Sequence, residues 1–226
     1  MRGVAARCAL VALGLCFVPG VARAEPVAVD RAVVRFSAPE LGGARSPRFV
    51  FARMLAFEAR LEALADPDRP GVPYRDRHLS AALERHVAET LLASLRIEPE
   101  PEPAAVSTQA EAARRMTEAR CGGADGVAAA ARAEGISERE LFAFFRRQAR
   151  ASLYLDRMVA PMLVPSDAEL RRLYRSERTP FRDAPFESTL PALRRWYVSA
   201  RLSAAVSDFY QNARGRLEIE ILNGTH

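Results

Sequence analysis

Few side chains in this 226-residue sequence have the type and spacing that chemistry requires. His78 and His86 lie eight residues apart on a stretch with helical periodicity, so they share a face. Two histidines that share a metal ion from one helix sit four apart, so this pair reads as core or solvated rather than ligating. His226 is the last residue. Asp66 and Asp68 flank a proline in a turn, and Glu98, Glu100 and Glu102 alternate with prolines; both sets read as solvated carboxylates. Neither G-x-S-x-G, H-E-x-x-H nor C-x-x-C occurs. All 33 basic residues are Arg, which rules out a P-loop lysine, a Schiff-base lysine and a Ser-Lys pair. The expectation is a protein with no catalytic residues, no metal site and no cofactor.

Cysteine usage depends on the N-terminus. Arg2 and Arg7 precede an apolar run, Cys8–Val18, and Ala22-Arg23-Ala24 is a small-x-small site after Pro19-Gly20. These are the three parts of a cleavable secretory signal peptide, residues 1–24, and the run is about half the ~20 residues of a membrane-spanning helix. Removing it takes Cys8, Cys16 and three arginines. Cys121 is left alone: a small packing residue, or a thiol for an intermolecular disulfide dimer. The remaining 30 basic and 28 acidic residues form no basic stripe that argues for nucleic acid. The location implied is periplasmic or secreted.

The elements follow from periodicity and punctuation. Residues 27–36 are β-branched and read as a strand. Gly42-Gly43 marks a turn, and Ser46-Pro47 reads as the start of an amphipathic helix over 47–65, with Phe49, Met54, Phe57, Leu61 and Leu64 at helical spacing. After DPDRPGVP a second helix spans 76–97, and EPEPEP (98–103) reads as an extended, stiff connection. Thr108-x-x-Glu111 opens a third helix to Arg120, and 125–134 forms a fourth, closed by Gly135. Ser137-x-x-Glu140 and Ser166-x-x-Glu169 are capping boxes for helices over about 138–160 and 167–176. A last helix runs from about 187 to 214 with Pro191 in its first turn, and LEIEIL (217–222) alternates as a strand. Two strands at the ends of a helical chain are expected to pair with each other and lie on the helices.

The order of these signals carries a resemblance. A strand and a long helix lead to Gly-Gly, an Ala-rich helix and Gly135-Ile136-Ser137-Glu138-Arg139-Glu140-Leu141. A helix ending in Arg157-Met158-Val159 precedes Val164-Pro165-Ser166-Asp167-Ala168-Glu169-Leu170-Arg171-Arg172-Leu173-Tyr174, then Phe181, Pro185-Phe186-Glu187 and a long Arg-rich helix. This resembles the N-terminal chaperone domain of SurA-type periplasmic folding factors and the related PrsA-type foldase domain, over most of residues 25–222. The likeness implies a mainly α fold: a multi-helix bundle with a small two-stranded β ribbon that pairs the N- and C-terminal strands, and a disordered tail at 223–226. Residues 175–186 leave no room for the parvulin prolyl isomerase domain of that family. The implied function is an exported, ATP-independent chaperone that holds unfolded outer-membrane or secreted clients. The alternative is an adaptor that uses the fold to bind one folded periplasmic partner.

Apolar residues beyond what a core needs are the candidates for client contact. Met54, Phe57, Phe145, Tyr154, Met158, Met162, Trp196 and Tyr197 are the expected peptide-binding residues, because adaptable Met and aromatic side chains suit varied apolar partners. Arg146, Arg147 and Arg150 are expected on the groove's rim, or as a solvated face.

Overall fold

The computed structural model describes residues 30–39, 44–68, 73–176, 179–181 and 184–222. The expected signal peptide and the 223–226 tail lie outside the described residues, as does the Gly42-Gly43 turn. Among the described residues the order is β1 (Ala32–Ala38), β2 (Ala44–Phe51), α1 (Ala52–Leu64), α2 (Asp76–Ser94), α3 (Pro103–Arg120), α4 (Gly123–Ala133) and α5 (Glu138–Tyr154). A π-helical turn (Leu155–Val159) and a 3₁₀ turn (Ala160–Leu163) follow, then α6 (Asp167–Arg175), α7 (Phe186–Arg214) and β3 (Glu218–Ile221). The fold is mainly α, and no helix among the described residues is long and apolar enough to cross a membrane.

The terminal strands pair as expected, but the ribbon has a third member. The sheet order is β2-β1-β3, antiparallel throughout. The helix expected over 47–65 begins only at Ala52, and Arg48–Phe51 pair with β1 instead. Their side chains alternate, with Phe49 and Phe51 exposed and Val50 buried, and that period of two wins over the helical spacing that Phe49 completes. Pro47 is accommodated because β2 is an edge strand. Its pairing slips between Phe36↔Arg48 and Ala38↔Ala44, so the proline falls in an irregular stretch where no ladder donor is needed.

Other boundaries move for local reasons. α3 starts at Pro103 rather than Thr108, because proline is well placed at a first helical position; Thr108 and Glu111 are exposed inside the helix. Pro191 is the sixth residue of α7, in its second turn, so Glu187 loses its usual helical donor. The capping boxes at Ser137 and Ser166 form: each hydroxyl accepts from the N–H three residues on (3.3 Å), and each carboxylate accepts the cap's own N–H (2.8 Å). The Ser137 hydroxyl, which donates to the Glu140 carboxylate (2.6 Å), and then the Ser137 N–H hold that carboxyl below its ordinary range. Between α3 and α4, a Cβ on Gly126 would sit 2.0 Å from the Cys121 carbonyl oxygen, so only glycine permits this approach.

Two apolar clusters hold the molecule. The first joins Phe57 and Leu61 of α1, Val106 and Ala110 of α3, Val127 and Ala130 of α4, and Leu141, Phe144 and Phe145 of α5. Phe144 meets Phe57 and Phe145 edge-on at ring separations of 5.4 and 4.9 Å. The second packs Val34, Phe36 and Val50 of the sheet on Val87 and Leu91 of α2 and on Tyr210 and Ala213 of α7. The long α7 thus rests on α2 and the sheet at its C-terminal end, and on α6 and the 3₁₀ turn nearer its start.

Candidate functional site

Between the two clusters, α1, α2 and α5 meet along a seam that is charged. Glu58 of α1 is fully buried, one turn from Met54 and Leu61, and reaches side chains of α2 and α5. Its Oε1 accepts from His86 Nδ1 (2.8 Å) and from Arg147 Nη2 (2.7 Å). Because a carboxylate only accepts, the imidazole proton facing it is on Nδ1. Arg147 turns its Nε to Glu89 of α2 (3.2 Å), and Gln148 donates to the other Glu89 oxygen (3.2 Å). Arg85 lies near Glu89 and pairs with Glu62. The result is a chain of alternating groups across three helices: His86, Glu58, Arg147, Glu89, Arg85, Glu62.

The electrostatics differ along it. Burial would raise the Glu58 carboxyl, but the charges and hydrogen bonds of Arg147 and His86 overcome this and hold it at about 2. Burial dominates at Glu89 and, with the nearby Glu58 charge, pushes its carboxyl up despite Arg147. Arg147 would lose affinity for its proton on burial, yet Glu58 and Glu89 push it above the ordinary arginine value. Glu58 Oε2 has no hydrogen-bond partner. A fully buried carboxylate with one idle oxygen marks this seam as unusually polar for a helix interface.

The seam forms the floor of two neighbouring clefts. One, of about 510 Å³, opens between α2 and α5 on one side and α7 on the other; Ala88, Leu92, Ala151, Leu155, Val206 and Tyr210 give it a mainly apolar wall. A second, of about 200 Å³, lies towards α3, beside Leu61, Ala113, Met116 and Phe144. Both are lined by Arg85, Glu89, Gln148 and Ser152. Further along α7, a hollow of about 550 Å³ lies between Asp156 and Ala160 and the α7 residues Pro191, Arg194, Val198 and Leu202. Clefts therefore flank α7 from Pro191 to Gln211, about 30 Å of helix.

The residues expected to bind peptide are dispersed. Phe57 and Phe145 are buried in the first apolar cluster, and Met54 packs against it, so all three are core. Tyr154, Met158 and Met162 follow one another through the end of α5 and the two turns, with Met162 74% exposed. Trp196 and Tyr197 are half-buried on α7. None of the eight lines the cleft between α2, α5 and α7.

Several other expectations need correction. Arg147 is not a rim residue but the centre of the buried chain. Arg150 bonds the Ala93 carbonyl (3.2 Å) and Glu100 (2.7 Å), and Arg157 the Pro99 carbonyl (3.3 Å), which ties EPEPEP to α5. Arg146 is exposed. Asp66 is not simply solvated: His78 Nε2 lies 3.1 Å from its Oδ2, and Arg77 pairs with the same oxygen. His78 Nδ1 accepts the Arg75 N–H (3.1 Å) and so caps α2, while its Nε2 faces Asp66 and the Arg77 Nε (3.1 Å). Cys121 is buried with its thiol against the Leu61 carbonyl (3.5 Å), and burial raises its pKa. A disulfide to a second copy would require that core to open.

Sequence reasoning missed Glu58, Arg85, Glu89 and Gln148, and put Arg147 at the surface. The signal was present: Glu58 interrupts the Met54–Leu61 stripe, and Arg147-Gln148 stand about one helical turn after Phe144-Phe145. Among the described residues, no group of three or more His, Cys, Asp or Glu side chains is placed to hold a metal ion. No protein-family model, no curated protein and no solved structure matches the chain.

Proposed function

We propose that this chain is an exported polypeptide-binding module that holds unfolded client proteins without ATP and without isomerase chemistry. The observation that carries the reading is the cleft of about 510 Å³ between α2, α5 and α7, with an apolar wall and a polar floor. Apolar walls accept varied side chains, while Gln148, Ser152, Ser203, Ser207 and Gln211 supply donors and acceptors for a backbone that has lost its own partners. The roughly 30 Å flanked by clefts along α7 matches about nine residues of extended chain. A concave apolar site favours many clients over one folded partner, whose interface is ordinarily flatter and larger.

The test combines suppression of aggregation of a chemically unfolded client with peptide binding by the purified protein. The Leu155→Glu/Val206→Glu double variant places two carboxylates in the apolar wall. Its affinity for unfolded peptides is expected to fall about tenfold or more, with the circular dichroism spectrum retained. Absence of both activities in the unaltered protein would sink the proposal. Co-purification with a single stoichiometric protein would replace it with the adaptor reading.

A further inference from the structure

Among the described residues the sheet has two edges of unlike construction. The β2 edge is broken by a slip in register, with exposed Pro47 inside the irregular stretch. The β3 edge is regular. The Leu222 N–H donates to the Val33 carbonyl (2.9 Å), and Glu220 sits opposite Arg35. Backbone groups alternate along an antiparallel strand, so Glu220 and Leu222 face β1, while the N–H and C=O groups of Ile219 and Ile221 face outwards. Ile219 and Ile221 stand opposite Phe36 and Val34 on the face that packs against the helices. Yet they are 39% and 69% exposed, against 1% and 3% for Phe36 and Val34. The apolar face runs out beyond its helical cover. On the other face, Glu218 accepts from Ser37 (2.9 Å) and Glu220 from Arg35 (3.1 Å), two carboxylates with one cation among them.

We infer that β3 is a docking edge for an extended polypeptide segment that alternates apolar and basic residues, which adds as a fourth strand. The strand already seated on the other side of β3 shows the chemistry that fits. β1 presents Val34 and Phe36 to Ile221 and Ile219, and Arg35 to Glu220. A newcomer on the outward side meets the same alternation, and among the described residues Glu218 is held by the Ser37 hydroxyl rather than by a cation. A second copy of β3 is the poorer occupant. Antiparallel pairing that aligns isoleucine with isoleucine sets Glu220 against Glu220 or Glu218 against Glu220, and like charges opposite each other destabilise a strand pair. This edge is separate from the α7 cleft, and β-strand addition there needs only main-chain bonds and alternate side-chain contacts.

Fluorescence anisotropy of the full chain with a labelled peptide of sequence AVVRFSA, a copy of Ala32–Ala38, tests this. Saturable binding is expected, and about tenfold weaker binding when the peptide's Arg is replaced by Glu. Ile221→Pro removes an outward N–H and no bond to β1, so the fold should persist while binding falls about tenfold or more. Glu218→Arg should reverse the preference between the two peptides. With the cleft disabled by Leu155→Glu/Val206→Glu, the remaining AVVRFSA binding should still fall about tenfold on Ile221→Pro, which separates this edge from the cleft. Equal affinity for both peptides, or indifference to Ile221→Pro, overturns the inference. So does a dimer in sedimentation velocity that Ile221→Pro dissolves, because the edge would then belong to a second copy.

Discussion

One turn of α5 separates two ways of joining helices. At Phe144 and Phe145 the contact with α1 is dry, made of edge-on rings and aliphatic groups. At Arg147 and Gln148 the contact with α1 and α2 is ionic, and the Arg147 guanidinium lies over the Phe144 ring at 5.3 Å, where the two regions touch. The dry contact is non-directional and insensitive to pH. The charged one is directional: it fixes the rotation of three helices about their axes, and it depends on protonation. A buried ion chain adds little net stability over an apolar packing of the same shape, but breaking it is costly. The difference therefore lies less in strength than in what each contact responds to.

The largest expected effect is Arg147→Ala. It leaves Glu58 with His86 alone and Glu89 with Gln148 and, at 3.8 Å, Arg85, and should cost about 3–5 kcal/mol in urea unfolding at pH 7. Phe144→Ala removes two ring contacts and should cost a comparable 3–5 kcal/mol or so. The two are told apart at pH 4. The Arg147→Ala cost should shrink there, because acid neutralises the stranded carboxylates, whereas the Phe144→Ala cost should not change.

The pH dependence of the unaltered chain comes next. Glu58 is held at about 2 against an ordinary 4.5, so the stability it supplies is complete above about pH 4.5 and is lost as pH falls towards 2. The span corresponds to about 3 kcal/mol. The Glu58→Gln variant should flatten this slope in acid titrations followed by circular dichroism. Glu89 acts in the opposite sense. Its raised carboxyl favours the folded state when protonated, and that contribution falls as pH rises above its ordinary value of 4.5. Glu89→Gln should therefore change stability at pH 7 by less than about 1 kcal/mol, a far smaller loss than Arg147→Ala. Smallest of all, Phe142→Ser on the same helix should fall within about 0.5 kcal/mol of the unaltered protein by thermal melting, since Phe142 is 57% exposed.

The helices were legible because they advertise their ends. Ser137 with Glu140, Ser166 with Glu169, and the glycines after α3 and α4 set boundaries that local chemistry enforces. The β2 strand was not, because Phe49 fits a helical stripe and an alternating strand equally well, and only its pairing with β1 decides. The charged seam was hidden for another reason. Side chains such as Glu58 and Arg147 are ordinarily solvated, so sequence reasoning sends them to the surface; burial becomes tolerable only once three helices bring opposite charges together. Cleft residues such as Ala88, Leu155 and Val206 carry no local mark at all, since a groove wall and a core wall have the same composition until the neighbouring helix is placed.

The sheet also bears on the order in which the molecule assembles. Arg35 and Glu220 are partners across 185 positions of sequence, while the first apolar cluster draws on residues between 57 and 149. Closing so long a loop is entropically slow compared with the nearer helix pairings. The helical body is therefore expected to form first, with β1 paired to β2 alone until β3 arrives. During that interval the side of β1 that β3 will take is a bare edge, the one stage at which this chain would itself be an aggregation-prone intermediate.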